Sequence, residues 1–198
     1  MRPTTACARA WSSSGFVFSE NKISAQTAVA PLLEILSILG PADAELLKMA
    51  SPMHDIGKVG IPDSILTKPG KLTEEEFTLM KTHTEIGFNL LKSSQRKIIR
   101  AASIISHQHH EKWNGKGYPL GLKEEEIHIF GRITAVTDVF DALASDRCYK
   151  KAWELDRIIN LFKEERGKQF DPHLIDVFLE CLDEMLIIKD TYTDLFCI

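Results

Sequence analysis

From about Ser24 onward the apolar residues recur three and four positions apart, and strand-like alternation is nearly absent. That spacing puts them on one stripe of a 3.6-residue helix, so the chain is confined to an all-α fold, a compact bundle of about six to eight helices. Leu32, Leu33, Ile35, Leu36 and Leu39 mark a first helix, disturbed early by Pro31 and stopped by Gly40-Pro41. Leu46, Leu47, Met49 and Ala50 mark a second, running toward His54-Asp55. Thr73-Glu74-Glu75-Glu76 spells a capping box, after which Phe77, Met80, Thr84, Phe88 and Leu91 continue one face of a single third helix. Ile98, Ala101, Ala102 and Ile105 place a fourth helix ahead of His107, His109 and His110, and Gly115, Gly117, Pro119 and Gly121 make Trp113 to Gly121 a loop. Ile133, Val136, Phe140 and Leu143 form another stripe, as do Leu155, Ile158, Ile159 and Phe162. Asp171-Pro172 supplies an N-cap and a first-turn proline for a last helix carrying Ile175, Phe178, Leu182 and Met185.

A chain of 198 residues, 44% hydrophobic and 26% charged, can bury the core of one soluble domain. Residues 20–187 are expected to form it, with 1–19 a disordered or upstream remnant and 188–198 a tail. The formal charge of −4 provides no broad basic surface, which argues against long nucleic acid as a partner and leaves room for a small anion. Cys7, Cys148, Cys181 and Cys197 show no C-x-x-C pairing, so reduced thiols in a cytoplasm are expected rather than a disulfide framework. The stretch from Thr4 to Ser14 is too polar for a signal peptide, and no run approaches the ~20 apolar residues of a membrane span.

Five of the seven histidines, His54, His83, His107, His109 and His110, fall within one stretch of the chain. Imidazole with carboxylate suits divalent iron, manganese or zinc, and a carboxylate beside a histidine can bridge two ions. His54-Asp55 is such a pair, although the dipeptide alone is equally a helix-end histidine beside a solvated aspartate. Its surroundings add weight: glycine follows where the backbone must turn sharply, and Lys58 stands three residues past Asp55, where an ammonium could meet a phosphate. Asp138 interrupts an apolar helix between the small residues Ala135 and Ala142, and a carboxylate there is costly to bury unless paired or metal-bound.

The order of His54-Asp55-Ile56-Gly57-Lys58, Lys68-Pro69-Gly70-Lys71-Leu72, His83-Thr84-Glu85-Ile86-Gly87 and His109-His110-Glu111 through Gly117-Tyr118-Pro119 resembles the successive motifs of the HD-GYP family of metal-dependent phosphohydrolases. Arg132-Ile133, Asp138 to Leu143, Arg147-Cys148-Tyr149-Lys150 and Phe170-Asp171-Pro172 extend the match, which covers about Leu46 to Leu179. The resemblance implies a helical phosphodiesterase that opens cyclic di-GMP to pGpG, and in some members to GMP, with two or three ions of iron or manganese. It implies His54, Asp55, His83, His109, His110, Asp138 and Glu20 as metal ligands, with Asp55 bridging. Asp55 and Lys58 would be catalytic, and Lys58, Arg147, Lys150 and Tyr118 would bind substrate. His107, His128 and His173 fall on positions that are not ligands there. A sensory input is also implied, from an upstream domain or from a sensory or diguanylate cyclase-type partner protein. One departure stands out: the family's glutamate and, four residues later, histidine correspond to Glu20 and Ser24, so the ion site of His54 and Asp138 is one imidazole short. Two other readings follow, a catalytically impaired module that binds nucleotide or a signalling partner, and an HD nucleotidase acting on mononucleotides.

Overall fold

The computed structural model describes residues 39–144, 151–183 and 186. The first predicted helix up to residue 38, Glu20, Ser24, Arg147, Lys150, Met185 and the tail from 187 lie outside them. The described part is helical, and its only β-type contacts are isolated bridges, Asn114 with Lys123 and Arg166 with Phe170.

Pro41 opens helix α1, Pro41–Ala50, which buries Leu47 and Ala50. Two tight 3-10 turns follow, Ser51–Met53 and Ile56–Gly60, and His54 and Asp55 sit between them. The short α2, Asp63–Leu66, leads to α3, Glu74–Lys81, whose capping box forms as the sequence predicts: Glu76 N–H donates to Thr73 Oγ1 at 3.2 Å and Thr73 N–H to Glu76 Oε2 at 2.7 Å.

The single helix expected from Phe77 to Leu91 is in fact two, because α3 ends at Lys81 and α4 runs His83–Leu91. Local hydrogen bonding breaks it. Thr82 Oγ1 donates to Leu79 O at 2.7 Å and the His83 ring to Met80 O at 2.6 Å, so two side chains compete for carbonyls of the helical ladder.

Helix α5, Lys97–Gln108, is the centre of the bundle and packs on α1, α4 and α6, Ile129–Ala144. Helices α7, Leu155–Glu165, and α8, Pro172–Glu180, cover the far side of α6. Asp171 caps α8 by accepting from His173 N–H at 2.9 Å and also receives Arg132 Nη1 at 2.6 Å, which ties α6 to α8. Phe140, Phe162 and Phe178 form an aromatic cluster in the main core, with centroids 4.6 Å apart for Phe162 and Phe178 and 5.4 Å for Phe140 and Phe178. Ile61, Leu66 and Met80 make a second, smaller core.

Close backbone approach decides where the site forms. A Cβ on Gly57 would lie 1.9 Å from His83 O, and one on Gly87 would lie 2.1 Å from Ser106 Oγ. Only glycine lets the Ile56–Gly60 turn rest on α4 and α4 rest on α5. The sequence reading assigned Gly57 to a sharp turn; its role is this contact, and it is not among the positive-φ glycines.

Candidate metal centre

Three of the cluster histidines are each held by their own helix or turn. His54 Nδ1 donates to Ser51 O at 2.8 Å, His83 Nδ1 to Met80 O at 2.6 Å, and His109 Nδ1 reaches Ile105 O at 3.0 Å and Ser106 O at 3.1 Å. Since a carbonyl only accepts, Nδ1 carries a proton in all three, and in the neutral rings of His83 and His109 the Nε2 lone pair turns inward, the tautomer a metal ligand needs. Ligand atoms of Asp55, His83, His109 and His110 all lie within 4.8 Å of one another. Asp55 joins them: its Oδ1 is 3.5 Å from His83 Nε2 and 3.8 Å from His109 Nε2, and its Oδ2 is 3.3 Å from His54 Nε2. Asp138 Oδ1 faces the same His54 nitrogen, 3.7 Å from Nε2.

The electrostatics are those of an ion site. Burial pushes His83, His109 and His110 below the ordinary histidine range, well below it for the last two, and keeps them neutral. Burial alone would raise the Asp55 carboxyl, but Lys58 and then His54 overcome it and hold the group well below the usual carboxylate range. His54 differs from its neighbours: burial would depress it, yet the carboxylates of Asp55 and then Asp138 prevail and raise it from 6.5 to about 9. Lys58 is buried and bonded to Asp55. His83 Nε2 and His109 Nε2 are buried nitrogens with no hydrogen-bond partner. Unsatisfied acceptors of this kind are costly, and a divalent cation among three imidazoles and a carboxylate satisfies them; the residues therefore fit a metal.

Tyr118 stacks on His110 at 4.8 Å between centroids, and its N–H donates to His110 O at 3.3 Å. Burial, then the charges of Asp55 and Asp138, push its phenol well above the usual range, so it remains a neutral O–H. The structure thus gathers His54, Asp55, Lys58, His83, His109, His110, Tyr118 and Asp138 at one place. His107 is apart from the ligand group, stacked on Phe88 at 4.2 Å. His128 Nδ1 accepts from Phe130 N–H at 3.1 Å near the start of α6.

Two residues at the centre had been given no role from sequence. Glu111, 3% exposed, receives the N–H groups of Leu120 at 2.7 Å and of Gly121 and Leu122 at 3.1 Å, pinning the loop that presents Tyr118. The signal available was a glutamate between two histidines and a glycine-rich loop. Lys81, at the end of α3, lies over the ring of Tyr118.

The helical fold with its histidine and aspartate cluster defines the HD class of protein, and comparison with known proteins agrees. The HD domain family model matches residues 14–174, and the chain belongs to that family. It is 48% identical over 141 residues to the cyclic di-GMP phosphodiesterase response regulator RpfG of Xanthomonas campestris, covering 71% of this chain and 37% of that protein. It is 45% identical over 156 residues to 3'3'-cGAMP-specific phosphodiesterase 2 of Vibrio cholerae (79% and 30% covered), and 47% over 146 residues to a cyclic di-GMP phosphodiesterase of Thermotoga maritima (74% and 39%). The chain thus spans about a third of the length of these relatives. Among solved structures, a cyclic GMP-AMP specific phosphodiesterase of Vibrio cholerae shares the fold with a TM-score of 0.61 at 18% identity, covering 86% of this chain and 46% of that one.

Proposed function

We propose that this chain is a metal-dependent phosphodiesterase acting on a cyclic dinucleotide, cyclic di-GMP foremost, and releasing linear pGpG or GMP. The observation that carries the reading is the buried group of Asp55, His83, His109 and His110, whose inward nitrogens fit an ion, with Lys58 beside it. The names of relatives 44–48% identical to it supply the substrate class. Asp55, His83, His109 and His110 would hold one ion, and His54, Asp55 and Asp138, with Glu20, a second; iron or manganese suits this donor set. Divalent ions there supply Lewis-acid activation of water and of the phosphate.

The protein's own groups do the rest. His83 and His109 are fixed by carbonyls on their Nδ1 sides, so they bind without reorganising. Lys58 offers positive charge to a phosphate oxygen, Tyr118 a neutral hydroxyl, and Arg147 and Lys150 further cations for the dinucleotide. We take residues 20–187 as the catalytic domain and the cytoplasm as its compartment, with regulatory input from a sensory or diguanylate cyclase-type partner. Among the described residues no helix is long and apolar enough to cross a membrane.

Ser24, in place of an imidazole, favours a second reading, a module that binds nucleotide or a partner with little turnover. Anaerobic metal analysis, combined with turnover and binding assays on cyclic di-GMP, 3'3'-cGAMP and mononucleotides, separates the readings. Metal-dependent release of pGpG or GMP is expected; binding without turnover selects the second reading, and cleavage confined to mononucleotides refutes both.

A further inference from the structure

A cyclic dinucleotide carries two phosphodiesters, and among the described residues the cation assigned above, Lys58, stands at the cluster and so meets the one being cleaved. Lys81 stands in a position to meet the other. It ends α3 two residues before His83 and is half-buried. Its Nζ lies 5.5 Å from the centre of the Tyr118 ring and 4.8 Å from that of Phe77. Tyr118 stacks in turn on His110, so the ammonium stands at the edge of the centre, one aromatic ring from a cluster imidazole.

Among the described residues the charge on Lys81 is uncommitted. Among the described residues its ammonium meets no carboxylate and no hydrogen-bond acceptor, whereas Lys58 is bonded to Asp55 and Lys68 to Glu76 at 2.6 and 2.8 Å. The aromatic faces attract the cation but leave its three N–H donors unfilled. Favourable interaction with the end of the α3 dipole requires only a lysine reaching into solvent, and does not account for a side chain laid over two rings.

We propose that Lys81 is a substrate-binding residue whose ammonium takes the phosphate of the cyclic dinucleotide that is not being cleaved, steadied by the rings of Tyr118 and Phe77. The inference rests on the phosphodiesterase reading above. Removing one charge-assisted contact to phosphate weakens binding about tenfold or more.

The test compares the metal-loaded full chain with Lys81→Met and Lys81→Arg, using cyclic di-GMP and the small diester bis(p-nitrophenyl) phosphate, which has no second phosphate. For Lys81→Met the ratio of kcat/KM on cyclic di-GMP to that on the small diester is expected to fall about tenfold, mainly through KM. Lys81→Arg should recover most of the loss, and metal content should stay constant. Calorimetric Kd values for a phosphorothioate analogue of cyclic di-GMP should weaken by the same factor. An unchanged ratio and Kd, or equal loss on both substrates, overturns the role of Lys81 while leaving the phosphodiesterase reading in place. A parent chain that neither binds nor cleaves cyclic di-GMP overturns both.

Discussion

Replacing Gly57 by alanine inserts one methyl group between the turn that follows Asp55 and the helix that begins at His83. The new Cβ would stand 1.9 Å from His83 O, 2.5 Å from Gly87 N and 2.9 Å from His83 C. All three are backbone atoms and cannot rotate away. Ordinary contact begins at 3.4 Å, so the gap must open by about 1.5 Å. If the turn moves away as a unit, the His83 Nε2 to Asp55 Oδ1 separation stretches from 3.5 Å to at most about 5 Å, against the 4.8 Å that now encloses the ligand set. Overpacking of this kind costs about 1–3 kcal/mol of stability, and misplacing a reacting group by about 1 Å costs about 10²-fold in rate. Gly57→Ala should therefore fold with a lowered Tm, retain little metal by mass spectrometry and lose at least about 10² of its turnover. Gly40→Ala is the control, because nothing lies within 4 Å of a Cβ there. Full metal content with parental turnover in Gly57→Ala would refute the claim that this backbone contact assembles the centre.

Four further outcomes are expected. His109→Ala or His110→Ala should lower bound metal and abolish activity with the bundle still helical by circular dichroism, whereas His107→Ala should lose only the stack on Phe88, worth about 0.5–1.5 kcal/mol in thermal melts. Lys58→Ala should keep its ions by elemental analysis and lose about 10²–10³ in kcat, and loss of metal instead would make Lys58 a structural residue. Ser24→His should raise metal stoichiometry, and turnover as well if the second ion limits the rate; an unchanged count with a fully active parent argues that Ser24 does no harm. In the metal-free chain His54 titrates at about 9 against 6.5 when unperturbed, so its contribution to stability is full below 6.5 and vanishes as pH rises through 9. Metal uptake between those values must then expel a proton from His54, which calorimetry in buffers of different ionisation enthalpy would register as proton release.

The helical class, most described helix positions and the residues that the structure gathers around Asp55 were legible because each has a short-range signature. Apolar spacing marks a helix face, Thr73 and Glu76 cap each other within one turn, and histidines beside acids announce themselves. The division of the third helix at Thr82 was not, since threonine and histidine are tolerated inside helices and only the hydrogen bonds to Leu79 O and Met80 O show that here they end one. Glu111 and Lys81 escaped for a related reason. Their roles depend on partners nine or more residues away along the chain, Leu120 to Leu122 and Tyr118, and no periodicity encodes such a meeting. Gly57 was noticed, but its purpose depends on how closely another element approaches, which is a property of packing.

His110 and Glu111 are consecutive residues with different surroundings, one turned toward the side chains of Asp55, His83 and His109 and the other gripping the backbone of Leu120, Gly121 and Leu122. One planar peptide joins them, so the grip on the loop and the place of the His110 imidazole are set by adjacent stretches of backbone. With metal bound there, loop order and ion occupancy would be linked, and linkage is reciprocal. A ligand that tightens the loop must raise the affinity for metal by the same factor by which metal raises the affinity for that ligand. A centre linked in this way would hold its ions most firmly with substrate present, and scarcity of either one would lower the hold on the other.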